Sequence, residues 1–304
     1  MATMTSAELR ERFKVGDDVR FETTAGGLVE VRVDTPLAHA RVALQGAHVI
    51  EWQPHGGAPV LFISSRSLFQ PGKAIRGGVP LIFPWFGAKA DDPKAPQHGF
   101  ARSSEWQLGA VAKDAKGAVR LTLALAADDA TRRVWPHDFT ARYQVVIGET
   151  LEMALEVENT SSHPFSFEEA LHTYLAVADA REIAVTGLAG TTYIDKVDGF
   201  KRKRQEAPQI RLSGETDSVY LDTPATCVVD DAGLRRRLVV DKSGSVSTVV
   251  WNPWQEKAGG MSDFGPDEWP KMVCVETANA ADNAVRLSAG ERHTMRAVVR
   301  AEPR

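Results

Sequence analysis

The chain has 304 residues, of which 43% are hydrophobic and 25% charged, and its formal net charge is -4. This composition is typical of a folded globular protein and argues against disordered and fibrous classes. The negative net charge disfavours a nucleic-acid partner, so an anionic ligand would need a local basic pocket. All-β domains often reach this length, and we expect a single β-sandwich domain over residues 1–304, with residues 1–15 as a lead segment.

Compartment and partners follow from signals near the N-terminus and from the cysteines. The opening segment MATMTSAELRERFKV lacks the apolar core of a signal peptide. No stretch reaches the ~18 apolar residues of a membrane span. The two cysteines, Cys227 and Cys274, are too few for a disulfide framework and lack a metal-binding spacing. We therefore expect a cytoplasmic protein with no membrane partner and no metal, and a monomer is the default expectation.

The elements in chain order are a short helix at about residues 6–13 and then mainly strands. Strand patterns occur in LVEVRV, RVALQGAHVIEWQ and AVRLTLAL. The clearest is FTARYQVVIGETLEMALEVEN, where apolar and polar residues alternate on both sides of Gly148-Glu149, which predicts a hairpin. TCVVDDAGLRRRLVVDKSGSVSTVVW, MVCVETAN and RHTMRAVV complete the set. Short strands joined by turn residues indicate an all-β sandwich or barrel, and the scarcity of helical periodicity disfavours a βαβ architecture.

Two dense basic runs interrupt this pattern, at residues 201–204 and 235–237. Such runs usually form solvated loop or hairpin faces, which is what we expect here.

Common catalytic motifs are missing from the sequence. No GxGxxG opens a helix, and no P-loop, HExxH or GxSxG occurs, which gives little support to nucleotide, zinc-protease or serine-hydrolase functions. Candidate polar residues lie instead in aromatic and glycine-rich segments that do not resemble simple strands, namely residues 73–87, 97–106, 168–177, 186–199 and 251–279.

His172 and Glu276 are the candidate acid–base residues. Each sits in a short apolar stretch, ALHTYLAV or MVCVETAN. With ordinary pKa values of about 6.5 and about 4.3, one could act as acid and the other as base near neutrality. Opening a hemiacetal ring needs both, and it needs no cofactor. A hydrogen-bonded core histidine and a solvent-facing glutamate are the structural alternatives, and sequence spacing does not show that the two residues meet.

Arg76 and Arg102 are the candidate phosphate ligands. They occur in IRGG and HGFAR, within apolar surroundings rather than in a charge run, and a guanidinium fork suits phosphate oxygens. A salt bridge to a loop carboxylate is the alternative for either residue. Gln97 could assist, His98 could donate to a sugar hydroxyl or only order its loop, and Asp195 could bind a sugar hydroxyl or be a turn residue.

In these segments the chain resembles the glucose-6-phosphate 1-epimerases, the hexose-6-phosphate mutarotases of the aldose 1-epimerase superfamily. The matching segments run from about residue 46 to 279: GAHVIEW, RGGVPLIFPWFG, QHGFAR, LHTY, TGL with TYIDK, WNPW, DFGPDEW and VCVE. The resemblance implies a galactose mutarotase-like β-supersandwich with few short helices and an open cleft across one sheet.

The resemblance also implies roles for individual residues. LHTY places the general acid at His172, and VCVE places the general base at Glu276. RGG and HGFAR assign phosphate binding to Arg76 and Arg102, and TYIDK assigns the acidic sugar contact to Asp195. The implied partner is a small hexose phosphate, with glucose 6-phosphate as the expected substrate.

Two other functions stay open. An aldose 1-epimerase acting on unphosphorylated sugars would leave the arginine pair unexplained. A non-catalytic carbohydrate-binding or regulatory module would leave the presence of both His172 and Glu276 unexplained. We expect the mutarotase.

Overall fold

In the computed structural model of the chain, residues 4–304 are described. Their α-helices are α1 (Ser6–Arg12), α2 (Asp129–Val134) and α3 (Trp254–Gly260), and single 3-10 turns occur at Ala101–Ser103, Trp269–Lys271 and Ala281–Asn283. The predicted N-terminal helix is confirmed as α1. Thr5 and Glu8 form a reciprocal capping box that satisfies its first free N–H groups. No helix within residues 4–304 has the length and apolar character needed to cross a bilayer.

Strands make up most of the remaining regular structure. The first twelve are β1 (Val19–Thr23), β2 (Val29–Asp34), β3 (Ala38–Ala43), β4 (His48–Pro54), β5 (Leu81–Ile82), β6 (Gln107–Lys113), β7 (Val119–Ala126), β8 (Phe139–Ile147), β9 (Leu151–Asn159), β10 (Phe165–Phe167), β11 (Glu169–Leu171) and β12 (Tyr174–Ala176).

The second half of the chain adds eleven more strands to those described. They are β13 (Ala184–Thr186), β14 (Thr192–Asp195), β15 (Lys201–Arg204), β16 (Gln209–Ile210), β17 (Thr216–Tyr220), β18 (Cys227–Asp231), β19 (Arg236–Ser243), β20 (Ser247–Asn252), β21 (Met272–Asn279), β22 (Val285–Leu287) and β23 (Arg292–Pro303). Every segment that the sequence predicted as a strand contains one.

The predicted hairpin is confirmed as β8 and β9, which pair antiparallel from Phe139 opposite Asn159 to Ile147 opposite Leu151. Its connection is residues 148–150, one residue longer than the Gly148-Glu149 dipeptide. Alternate residues of both strands are buried, as the period of two requires.

Two large antiparallel sheets dominate the fold. One has nine strands in the order β16-β13-β18-β19-β23-β9-β8-β7-β6. The other has the order β15-β14-β17-β20-β21-β11-β5, with β12 also paired to β21. A four-stranded sheet, β1-β2-β3-β4, and the β10-β22 pair complete the set in the described residues. This is the predicted all-β supersandwich, while its division into a single domain stays a prediction.

The central strand β21 is buried on both faces. Val273 and Val275 point into the main core shared with the nine-stranded sheet. Cys274 points the other way, into a smaller apolar cluster with Tyr174 and Trp251. This second face therefore carries its own apolar floor, and side chains standing on it are outside the main core.

The basic run at residues 235–237 differs from the expectation. Arg236 is buried, because the alternation of β19 turns it inward. Its guanidinium donates to the carbonyl oxygens of Ala58, Pro59 and Ala176 at 2.7–3.1 Å. The prediction of a solvated face was wrong at this residue, which instead ties β19 to the loop that contains Ala58 and Pro59 and to the end of β12. The run at 201–204 lies largely exposed on β15, as expected.

Candidate active site

A cleft of about 570 Å³ crosses the second face of the sheet that contains β21. This volume lies within the usual range for small-molecule sites. The cleft is lined by Arg76, Phe86, Gly87, Ala88, Gln97, His98, Glu168, His172, Ile194, Lys196, Phe200, Asp217, Val219, Trp251, Lys257, Met261, Glu276, Ala280 and Ala281. Five of the predicted site residues lie in this one cleft, namely His172, Glu276, Arg76, Gln97 and His98.

His172 and Glu276 meet because β21 pairs with both strands that flank the histidine. Leu171 of β11 is opposite Thr277, and Tyr174 of β12 is opposite Cys274. The break between β11 and β12 leaves His172 facing the middle of β21. Its Nδ1 atom lies 3.4 Å from Oε1 of Glu276.

Both members of this pair are buried, and burial shifts their proton affinities in opposite directions. Desolvation, helped by the charge of Asp217, raises the pKa of Glu276 well above its ordinary value. Desolvation, helped by His98 and by the cation of Arg76, lowers the pKa of His172 well below its ordinary value. Burial thus disfavours both charged forms, the imidazolium of His172 and the carboxylate of Glu276.

Arg76 is held rigidly at one wall of the cleft. Its Nε and Nη2 atoms donate to Oδ2 of Asp263 at 3.1 and 3.0 Å, and Nη1 donates to the Tyr174 hydroxyl at 3.0 Å. The Tyr174 ring in turn stacks on His172 at 4.7 Å with an interplanar angle of 10°. Arg76 is thus connected to the acid–base pair through one aromatic ring.

The two glycines after Arg76 fix its backbone. Gly77 has a φ of +112°, and a Cβ there would lie 2.3 Å from the Phe62 carbonyl oxygen. Gly78 has a φ of +61°, and a Cβ there would lie 2.3 Å from the Val49 carbonyl oxygen. Only glycine fits such close approaches with a positive φ. The RGG motif is therefore a structural requirement for presenting Arg76 to the cleft.

Arg102 lies beside the cleft rather than among the residues that line it. Its Nη2 atom donates to the Gln97 carbonyl oxygen at 2.8 Å. Among the ion pairs formed within residues 4–304, none involves Arg102. Burial, helped by the charge of Arg76, lowers the pKa of Arg102 to about 10. A half-buried guanidinium without a carboxylate partner is unusual, because an uncompensated charge is costly to desolvate.

His98 faces both the cleft and His172, with ring centroids 5.8 Å apart. Its backbone φ is +63°, and its Nδ1 accepts from the Gly87 amide at 3.2 Å. Burial, helped by Arg102 and Lys196, lowers the pKa of His98 well below its ordinary value. His98 is therefore a neutral imidazole whose strained loop position directs it at the cleft.

Asp195 is not brought to the cleft. Its Oδ2 atom pairs with Lys203 at 2.7 Å, and its Oδ1 accepts the amides of Val197 and Asp198. Its strand neighbour Ile194 lines the cleft instead, because successive residues of a strand point to opposite faces. Lys196, directly after β14, also lines the cleft. This position does not support the sugar contact that the sequence predicted for Asp195.

Asp217 is the cleft carboxylate that the sequence analysis missed. It lies on β17, in register with Trp251, and pairs with Lys196 at 3.2 Å. Burial raises the pKa of Asp217, although Lys196 opposes the shift. The segment GETDSVY carries no motif around this residue, so only the pairing of β17 with β20 identifies it.

The fold and this sugar-sized cleft define the class of galactose mutarotase-like proteins. The aldose 1-epimerase family model matches residues 30–300, and the chain belongs to that family, whose members are isomerases.

Two curated relatives have the name "Putative glucose-6-phosphate 1-epimerase". The one from Escherichia coli K12 is 40% identical over 82% of this chain and 83% of its own length. The one from Cenchrus ciliaris is 36% identical over 87% of this chain and 82% of its own length. A crystal structure of "a putative mutarotase" from Salmonella typhimurium superposes with a TM-score of 0.89 at 34% identity, over 96% of both chains. These likenesses extend over most of the chain.

Proposed function

We propose that this protein interconverts the α and β anomers of a hexose 6-phosphate, with glucose 6-phosphate as the expected substrate. The observation that carries the proposal is the guanidinium of Arg102, which has no carboxylate partner among the described residues. Burial and the positive charge of Arg76 lower the pKa of Arg102. Two neighbouring guanidinium groups at the edge of a sugar-sized cleft are suited to a phosphate dianion. The names of the curated relatives agree with this substrate.

Anomer exchange would begin with ring opening. The carboxylate of Glu276 takes the proton from the anomeric O1 hydroxyl while the imidazolium of His172 gives a proton to the ring oxygen O5. The C1–O5 bond breaks and C1 becomes an aldehyde carbon. After rotation about the C1–C2 bond, the same residues act in reverse, and O5 closes on the other face of the carbonyl. Each cycle returns both protons, so no net acid or base is consumed.

Burial of His172 and Glu276 favours the protonation states that these residues have when the sugar ring is open. Opening leaves a protonated Glu276 and a neutral His172, which are the forms that burial favours. The ring-closed substrate requires the opposite forms. A phosphate bound by Arg76 and Arg102 would offset the two cations that lower the pKa of His172, and so would favour its imidazolium form. In this proposal the phosphate aids catalysis as well as binding.

The sugar hydroxyls would contact the remaining polar groups of the cleft. Gln97 and His98 line the cleft with Arg76, and so does the Asp217–Lys196 ion pair. Trp251 adds an aromatic face to the cleft lining. We assign the acidic sugar contact to Asp217 in place of Asp195.

The test compares two sugars in one variant. Arg102→Ala removes a charged hydrogen-bond donor, worth about 1.5–3 kcal/mol, so kcat/KM for glucose 6-phosphate should fall about 10- to 100-fold. The rate on free glucose should change little. Arg133→Ala, an exposed arginine on α2, is the matched control for loss of one positive charge. An equal loss on both sugars would remove Arg102 from phosphate binding and favour an epimerase of unphosphorylated sugars. Sugar binding without anomer exchange in the wild type would favour a binding module.

A further inference from the structure

A thiol lies directly beside the acid–base pair, and the proposed reaction does not use it. Cys274 precedes Glu276 by two residues on β21, so both side chains are on the same face of the strand. One ligand atom each from His172, Cys274 and Glu276 lies within 4.8 Å of the other two. His172 Nδ1 and Glu276 Oε1 are 3.4 Å apart.

Two atoms of this cluster have unused hydrogen-bonding capacity. Within residues 4–304, His172 Nδ1 and Glu276 Oε2 are buried and have no hydrogen-bond partner. The side chains of His172 and Glu276 are only 9% and 1% exposed. Buried polar atoms are nearly always satisfied by protein, water, a ligand or an ion. A bound sugar would account for the unpaired nitrogen and oxygen, but it gives no reason for a thiol at the floor.

We propose that His172, Cys274 and Glu276 form an inhibitory site for a thiophilic divalent cation, Zn²⁺ or Cd²⁺. Imidazole, thiolate and carboxylate are all established zinc ligands, and three protein ligands with an open fourth position is a common zinc arrangement. Zinc–ligand bonds of about 2.0–2.3 Å place tetrahedral ligand atoms roughly 3.4–3.8 Å apart. The histidine–glutamate separation already fits, and the thiol needs to close by about 1.4 Å at most.

The charges around the cluster are compatible with a cation. Two of the cations that act on the cluster, Arg76 and Lys196, are each paired with a carboxylate, Asp263 at 3.0 Å and Asp217 at 3.2 Å. Arg102, which also acts on His172, has no such partner among the described residues and opposes a cation. Asp217 acts on both Glu276 and Cys274 as a negative charge. Binding of the metal would displace the proton of the Cys274 thiol, because the thiolate is the metal ligand.

The consequence for catalysis rests on the proposed function. A cation in this position occupies the lone pairs of both the general acid and the general base. Inhibition is therefore competitive with the sugar, and a chelator reverses it. The two cysteines provide a matched comparison, because Cys227 is also buried but lies on β18 in the nine-stranded sheet.

The experiment measures Zn²⁺ and Cd²⁺ binding to the full chain by equilibrium dialysis, and follows the ultraviolet absorption of the cadmium–thiolate bond. Wild type and Cys227→Ala should bind one equivalent, with the absorption present, and glucose 6-phosphate should displace it. Cys274→Ala should lose the absorption and bind the metal at least about 10-fold more weakly. Removing even a residue that only hydrogen-bonds to a metal ligand lowers metal affinity by about that factor. Its anomer exchange should continue in the presence of the metal.

Unchanged metal affinity in Cys274→Ala would overturn the site, as would absorption that depends on Cys227. Cys274→Ser, which preserves side-chain size, replaces the alanine variant if that protein unfolds. Binding and absorption are read without any turnover. If the chain binds metal through Cys274 but exchanges no anomers, the proposed function fails while the metal site stands.

Discussion

Replacing Glu276 by glutamine tests the assigned base with little disturbance of the fold. The side chain is 1% exposed on a strand buried on both faces, so a change of shape would be felt throughout the core. Glutamine has nearly the same shape. Burial and Asp217 raise the pKa of the carboxyl in the folded chain, so the native side chain is favoured in a neutral form that an amide imitates.

The expected effects on activity and on stability differ. Loss of a positioned base lowers the exchange rate by about 10²–10⁴-fold. A carboxyl whose pKa is raised by folding contributes stability that is complete below about pH 4.3 and is lost as the pH rises through its folded pKa. The amide has no such loss. Glu276→Gln should therefore be as stable as the wild type at low pH and more stable than it at alkaline pH.

The assay is exchange NMR of the two anomeric protons of glucose 6-phosphate, with thermal unfolding at acid and alkaline pH. Glu149→Gln, the same substitution at an exposed turn residue, should leave both measurements unchanged. An exchange rate in Glu276→Gln near that of the wild type would refute the base assignment. Lower stability than wild type at alkaline pH would refute the argument from burial.

Three further outcomes follow from the geometry. Gly77→Ala should destabilise the protein by about 2 kcal/mol or more in thermal unfolding, because its Cβ would lie 2.3 Å from the Phe62 carbonyl oxygen at a φ of +112°. Burial lowers the pKa of His48 to about 4. The stability that this neutral imidazole contributes is complete above about pH 6.5, and the free energy of unfolding should fall by about 3 kcal/mol as the pH drops to 4. In acid unfolding, His48→Gln should therefore show a smaller loss of stability over this pH range than the wild type. Asp217→Asn removes a charge that raises the pKa of Glu276, so the acidic limb of the pH–rate profile should move to lower pH; an unmoved limb would contradict that coupling.

The strands could be predicted from the sequence because their signal is local. Alternation on both sides of a turn identified the β8–β9 hairpin, and the same pattern identified β21 and β23. The meeting of His172 with Glu276 is not local, since it depends on β11 and β12 both pairing with β21. Family resemblance supplied that pair, and the residues' own spacing did not.

The assignments that failed or shifted have one physical cause. Strand alternation in β14 turns Ile194 toward the cleft and Asp195 away from it. The sequence analysis did not recognise that the segment at 186–199 contains this strand. The same alternation buries Arg236 within an otherwise solvated run. Asp217 was missed because its partner across the sheet, Trp251, lies 34 residues away in the chain. Composition indicates which residues are polar, whereas strand pairing decides which face they occupy.

The most direct test of the account is the wild-type rate of anomer exchange on glucose 6-phosphate and on glucose, measured side by side by exchange NMR. We expect cross-peaks between the α and β anomeric protons of the phosphorylated sugar at protein concentrations that leave free glucose unchanged. Equal or greater acceleration of glucose would contradict the phosphate role of the arginine pair, and acceleration of neither sugar would contradict the mutarotase assignment itself.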